Sequence, residues 1–427
     1  MQNTILQEQL RKIASFKGIE IYNIKAEKFK TNTINILFHD NLKKESAAKN
    51  ALIPAILRRG CERLPNIKDI ALYLEELYGA SFDCGITKKG ESQIIQFYIE
   101  FISDLYTEKG SNLFNKTFDL VFDIITSPVV ENNSFKNEYM EQEKENLKKL
   151  IESRVNDKTQ YSIDRCFEEM CKNEPFGVYE YGYVSDLDSI NGQDLYKYYK
   201  NAMETLPITI FITGNIDDDS LNRVIERISR VKRGEIKEIS GVESSNDRVE
   251  VKKVEEKMDV NQGKLSLGFR TGITAKHNDY YALLVYNSIL GGGMHSKLFQ
   301  NVRERESLAY YVFSRLDKFK GLMIISGGIE SQNRDKAQDI ALKQMEEIKK
   351  GNISDYEFES AMKNIETGIK SLKDSQLHIM DFYLSQVVSG TNDTFDTIIE
   401  KVKKVKKEDV IRVSENIKLD TVYFLTK

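Results

Sequence analysis

This sequence predicts an α+β fold of two similar halves, and three observations carry that prediction. First, strand-like and helix-like segments occur in mixed order with hairpin-like strand spacing. That pattern favours mainly antiparallel sheets covered by helices over a doubly wound parallel sheet. Second, one rhythm occurs twice, in SPVVENNSFKNEYMEQEKENLKKLIE from Ser127 and in KKGNISDYEFESAMKNIETGIKSLK from Lys349. Each copy has a helix break, an acidic spacer, a phenylalanine (Phe135 or Phe358) and a long polar helix. A repeat of two units of about 200 residues is a domain duplication rather than a solenoid. Third, Lys232 to Asp259 is charged and poor in apolar periodicity. The expected organisation is therefore an N-terminal domain over 1–235, a linker over 236–259 and a C-terminal domain over 260–427. The two halves are expected to close on each other as a clamshell.

The elements follow in order. KTNTINILF, Lys30 to Phe38, alternates as a half-buried strand. ALIPAIL, Ala51 to Leu57, reads as a short apolar helix stopped by Arg58-Arg59-Gly60, and Ile67 to Leu77 as an amphipathic helix. Strands are predicted at Ser81 to Thr87 and Gln93 to Ile102, turning at Lys88 to Glu91. Helices are predicted at Leu113 to Ile125, Phe135 to Val155, Lys158 to Cys171, Gly192 to Ala202 and Leu221 to Val231. A strand, TIFITG, spans Thr209 to Gly214. The second half opens with a strand at Lys264 to Arg270 and an apolar helix at Asp279 to Leu290, with Asp279 as its N-cap. A strand at Lys320 to Ile329 and helices at Arg334 to Lys349 and Asp355 to Leu372 follow.

Between them lies the most informative stretch, SILGGGMHSKLFQNVRERESLAYYVFS, from Ser288 to Ser314. An apolar run ends in Gly291 to Gly293. A short amphipathic helix follows, with Met294, Leu298, Phe299 and Val302 on one stripe, then a charged turn from Glu304 to Ser307 and an apolar strand from Leu308 to Phe313. The glycines fit neither a phosphate loop nor a dinucleotide-binding loop, because the required partner residues are missing. They fit a turn needing positive φ or close backbone approach. Two donors stand out. A helix–turn–strand corner can bring Arg303 and Tyr310 into one pocket, where a guanidinium fork and a phenol could hold a peptide carbonyl or a developing oxyanion. Alternatively, Arg303 is a solvated cation against the helix dipole and Tyr310 is core. His295 could face a cleft or be a surface or capping residue.

Composition narrows the class. The chain has 427 residues, 40% hydrophobic and 30% charged, with a net charge of −4. Neither nucleic acid nor an anionic membrane is favoured as a partner. The first residues lack the apolar core of a secretory signal, and no run is long and apolar enough for a membrane helix. The spacing of Cys166 and Cys171 matches neither a CxxC pair nor a zinc finger. Free thiols in a reducing cytoplasm are the expectation.

LGGGMHSKLFQNVRERESLAYYVFS resembles the C-terminal-domain motif of the pitrilysin/insulinase-like metallopeptidases, which include the mitochondrial processing peptidase. LEELYGASF, KKGESQIIQF and the segment Asn156 to Lys158 further resemble a bacterial zinc-less branch of that family. The resemblance covers essentially the whole chain and implies two homologous α+β domains. In active complexes of the family, the matching arginine and tyrosine reach substrate at a zinc site in the first domain, and they carry over to Arg303 and Tyr310.

Active members carry His-x-x-Glu-His on a first-domain helix, with two histidine ligands, a water-activating glutamate and a later glutamate ligand. Here the matching helix places Ala51 and Ala55 at the histidine positions and Pro54 at the glutamate position. Glu143, on the long charged helix, is either a vestige of the later ligand or a solvated residue. His39, His277, His295 and His378 are too scattered to form a helix pair. The resemblance thus implies no cofactor in this chain and no hydrolysis by it alone. It implies a role as the non-zinc subunit of a heteromeric peptidase, with Arg303 and Tyr310 acting in trans on a peptide substrate at the zinc of a homologous partner. The alternative is an inactive structural, assembly or peptide-binding protein of the same fold.

Overall fold

A computed structural model describes residues 9–242 and 250–427. The chain divides into two compact units, but not at a single cut. The first takes the chain up to Ser153 together with Tyr179–Ser240, and the second takes Arg154–Val178 together with Gly241–Lys427. The expected 1–235 boundary therefore differs from the structure over residues 154–178, whose packing partners lie in the second sheet.

The first unit opens with β1 (Gln9–Phe16), β2 (Ile19–Lys25) and β3 (Thr31–Asn41). Next come α1 (Lys44–Leu57), α2 (Ile67–Glu76), β4 (Ser81–Lys89), β5 (Ser92–Ile102) and α3 (Leu113–Thr126). A two-residue hairpin, β6 (Val130–Glu131) and β7 (Ser134–Phe135), leads into α4 (Asn137–Ser153). The sheet order is β1-β2-β8-β3-β5-β4, where β8 is Ile208–Gly214. Only β2 and β8 pair in parallel. β3 is buried along nearly its whole length and β8 along all of it, because both are interior strands covered on each face. Helix α1 is longer than the sequence predicted. Its first two turns, KESAAKN, are polar enough to read as loop, yet Ala47, Ala48 and Asn50 are buried.

The second unit begins with α5 (Lys158–Met170), which the chain supplies before returning to complete the first unit with α6 (Val184–Leu187), α7 (Gly192–Thr205), β8 and α8 (Asp218–Ser229). Asp157 caps α5 by accepting from the amides of Thr159 and Gln160 at 3.0 Å. Ile163 and Cys166 enter a core with Ile324, Tyr423 and Leu425. The segment is also held by charge: Arg270 bonds Glu174 at 2.6 Å and buried Asp420 at 2.8 Å, and Lys320 reaches Glu174 at 2.7 Å.

The remaining strands are β9 (Lys252–Lys257), β10 (Gly263–Arg270), β11 (Ala309–Asp317), β12 (Leu322–Ile329) and β13 (Lys418–Thr426). Between them run α9 (Tyr280–Gly291), α10 (Arg334–Lys349), α11 (Asp355–Leu372), α12 (Gln376–Ser389), α13 (Phe395–Lys403) and α14 (Lys407–Ser414). The strand order β9-β13-β10-β12-β11 repeats β2-β8-β3-β5-β4, and again only the first pair is parallel. The duplicated rhythm in the sequence is thus matched by duplicated topology. β4 and β11 are the corresponding edge strands, and α1 and α9 the corresponding helices before them.

Two local expectations change. Asp279 makes no side-chain cap bond; its carboxylate accepts from Arg412 at 2.6 Å. The expected linker is partly structured. Arg233 donates to the Met203 carbonyl at 2.7 Å, Lys237 pairs with buried Asp40, and Ile236 packs on Gly18, so residues 233–238 strap onto the first unit. At the other end, 252–257 form β9. Residues 243–249 of that linker lie outside the described residues.

Candidate functional site

The C-terminal half of α1 is where the resemblance places a metal site. Ala51 and Pro54 are buried and Ala55 is half-buried. None offers a lone pair from its side chain. Pro54 lacks an amide proton, and its carbonyl accepts from both the Arg58 amide at 3.1 Å and the Cys84 thiol at 3.2 Å. Burial pushes the Cys84 thiol up to about 12, so it is an inert donor rather than a thiolate ligand. Glu143, on α4, is 8% exposed. One carboxylate oxygen takes the Arg59 Nε at 2.5 Å as well as a second guanidinium nitrogen, and the other accepts from Asn146 at 3.2 Å. The carboxylate is neither a solvated helix face nor an open ligand. Among the described residues no group of three or more histidine, cysteine, aspartate or glutamate side chains could hold a metal ion. The residues at this position do not fit zinc.

His39 and His295 are engaged elsewhere. His39, on β3, is buried against the Thr209 hydroxyl at 2.9 Å, and burial lowers its pKa to about 4. His295 is half-buried, with Nε2 3.5 Å from the Ser288 hydroxyl, and burial lowers its pKa too.

The second locus is the corner between α9 and β11. None of Gly291, Gly292 and Gly293 has positive φ; close approach is the reason at the first two. A Cβ on Gly291 would lie 2.4 Å from the Ser314 amide nitrogen of β11, and one on Gly292 2.6 Å from the Ser288 Cα. The expected amphipathic helix is a π-helix, Phe299–Arg305, with Val302 buried. Leu298 is also buried, but Met294 is 75% exposed and does not join the apolar stripe. Arg303 lies within this π-helix, with its guanidinium 4.8 Å over the Phe299 ring and only a long 3.8 Å approach to Glu304.

Two further backbone irregularities follow in close succession. After the π-helix, Ser307 takes a left-handed φ of 53°. In the β11–β12 ladder Ala309 faces Ile329 and Tyr311 faces Gly328, so Tyr310 is the extra residue of a bulge. π-turns and bulges both re-aim side chains and concentrate at functional sites. Here the bulge turns Tyr310 outward, 77% exposed, while its neighbour Tyr311 bonds Thr159 at 2.9 Å. The reading of Tyr310 as core is excluded. Sequence reasoning missed Arg59, taken only as a helix stop, although an arginine four residues past Ala55, where the resemblance places a ligand, was the available signal.

Comparison with known proteins agrees with this picture. A family model described as the peptidase M16 inactive domain matches residues 189–365. The "probable inactive metalloprotease YmfF" of Bacillus subtilis (strain 168) is 34% identical over 408 residues, which is 96% of each chain. The "uncharacterized zinc protease YmxG" of the same organism is 26% identical over 256 residues, 58% of this chain and 61% of that one. The crystal structure of a conserved protein from Enterococcus faecalis V583 superposes with a TM-score of 0.90 at 27% identity, covering 98% of both chains. With near-complete overlap with a named inactive metalloprotease, a shared fold and the Arg303–Tyr310 motif in place, the chain belongs to the peptidase M16 family, the pitrilysin/insulinase-like peptidases.

Proposed function

We propose that this chain is the non-zinc, substrate-holding subunit of a two-chain peptidase, supplying Arg303 and Tyr310 to a peptide bound at the zinc site of a homologous partner. The observation that carries the reading is the exposed Tyr310 on its bulge, with an exposed Arg303 on the π-helix that precedes the same strand. A large aromatic ring left in water forgoes burial, and the left-handed Ser307 adds strain. The zinc-ligand positions, by contrast, carry residues that cannot bind metal.

In the proposed reaction a peptide lies extended with its scissile carbonyl within reach of the Tyr310 hydroxyl. The phenol donates one hydrogen bond to the oxygen as negative charge develops on it. Arg303 holds a neighbouring carbonyl with its fork of donors and adds positive charge nearby. Tyr310 and Arg303 thereby orient the peptide and stabilise the transition state, while the partner supplies the metal chemistry. Bacillus subtilis carries relatives named as an inactive metalloprotease and as a zinc protease, which is the pairing this reading needs. The unpaired thiols of Cys61, Cys84, Cys166 and Cys171 suit a reducing cytoplasm.

The test is reconstitution with the zinc-bearing family member from the same genome. The mixture should run as a complex by size-exclusion chromatography and cleave peptides that neither chain cleaves alone. No association, or equal cleavage by the zinc-bearing chain without this one, would leave the structural reading ahead.

A further inference from the structure

We infer that Arg59 has taken the place of a metal cation between α1 and α4, so that loss of the zinc ligands and presence of this arginine are one coupled change. The geometry is that of a built site rather than a decayed one. Glu143 is buried and needs a positive partner. Arg59 meets one of its oxygens with two guanidinium nitrogens, and Asn146 occupies the other oxygen. The guanidinium is itself largely buried, 16% exposed, and lies 5.6 Å from the ring of Tyr139, one turn before Glu143 on α4. Arg59 also lies just past the C-cap of α1, Arg58, where the helix dipole favours a cation. On α1 itself Ala51 and Pro54 have hydrocarbon side chains, and the Pro54 carbonyl is already taken by Cys84 and Arg58.

One consequence separates this arrangement from a simple loss of ligands. A divalent ion bound to Glu143 would sit within a few ångströms of a fixed positive charge that already uses the carboxylate. Restoring the histidines and glutamate would therefore not restore metal binding while Arg59 remains. This claim stands independently of the proposed role of Arg303 and Tyr310.

The test compares variants of the full chain for zinc retained after dialysis and for thermal stability with zinc or with a chelator. The triple variant A51H/P54E/A55H should retain only substoichiometric zinc. Adding R59A to it should give about one zinc per chain, the number a single site holds, with a Tm that rises with zinc and falls with chelator. A second arm needs no metal: R59A alone should lower the Tm, and R59A/E143Q should recover most of that loss, because no buried charge is then left unpaired. Stoichiometric zinc in the triple variant would overturn the inference, and so would a folded quadruple variant without zinc. Failure of E143Q to rescue R59A would overturn it as well, and that arm decides the matter if the quadruple variant does not fold.

Discussion

At the scale of single residues, several side chains in this chain are legible only through their partners. Glu143 reads as one more acid on a charged helix until Arg59 is placed against it. Removing one partner of a buried ion pair costs about 3–5 kcal/mol, and Arg59→Ala should approach the lower end because the pair keeps some solvent contact. Urea denaturation of the two chains measures it, and an unchanged midpoint would show the pair to be ornamental. His39 makes a different prediction. Its neutral ring is buried against Thr209, and burial lowers its pKa from 6.5 to about 4. The unfolded chain therefore binds the proton first as pH falls through 6.5, and native stability drops until the folded ring also protonates near pH 4. The loss should amount to about 3 kcal/mol across that window, and none of it should appear between pH 7 and 8. Comparing wild type with His39→Gln at pH 7 and pH 4.5 isolates it: the variant should be less stable at neutral pH but lose less on acidification. Equal losses in both would mean that other groups drive the acid response.

At the scale of elements, the readable features were those with a local period. β3, β5, β8, α3 and the paired long helices follow from alternation, helical spacing and caps. β1 and β2 were missed because QLRKIASF and IEIYNIK mix polar residues into an edge and its neighbour. α1 read as a short piece because its first two turns, KESAAKN, are polar, although the helix starts at Lys44. The irregular corner was visible as residues but not as geometry. Nothing in FQNVRER distinguishes a π-turn from an α-turn, and a bulge depends on the register of the facing strand. Membership of α5 was also hidden, since amphipathic spacing shows that a face is buried but not which sheet buries it. Gly268 offers a handle on that element. A Cβ there would lie 2.9 Å from the Met170 sulfur and 3.1 Å from that of Cys166, both on the α5 segment. Gly268→Val should overpack this contact by about 1–3 kcal/mol. Hydrogen exchange should then show lost protection concentrated in 158–170, and an unchanged pattern would argue against this packing of α5 on β10.

At the scale of the whole molecule, duplicated topology gives the chain two units that can diverge separately. The units share a five-strand order, to which the first adds β1, and each has an edge strand that follows a helix and its own core. Substitutions at Ala51, Pro54 and Ala55 therefore leave the second unit, with Arg303 and Tyr310, free to keep its own geometry. The organisation into two halves was legible from the repeated rhythm around Phe135 and Phe358. The zinc-motif positions assigned to Ala51, Pro54 and Ala55 come from resemblance alone, because alanine and proline in a helix carry no signal of a missing ligand. The role of Arg303 and Tyr310 rests on the same motif, and the structure adds their exposure and the irregular backbone that presents them.

The most direct measurement is peptide turnover by the reconstituted pair, with this chain as wild type, Tyr310→Phe or Arg303→Ala. Removal of one oxyanion donor costs about 3–4 kcal/mol, or about a hundred- to a thousand-fold in rate. Tyr310→Phe should therefore leave partner association and circular dichroism unchanged and lower kcat by that factor. Arg303→Ala should raise KM as well as lower kcat, since it removes a charge and a fork of donors. Wild-type rates from both variants, in a complex that still assembles, would contradict a role in trans for these two residues.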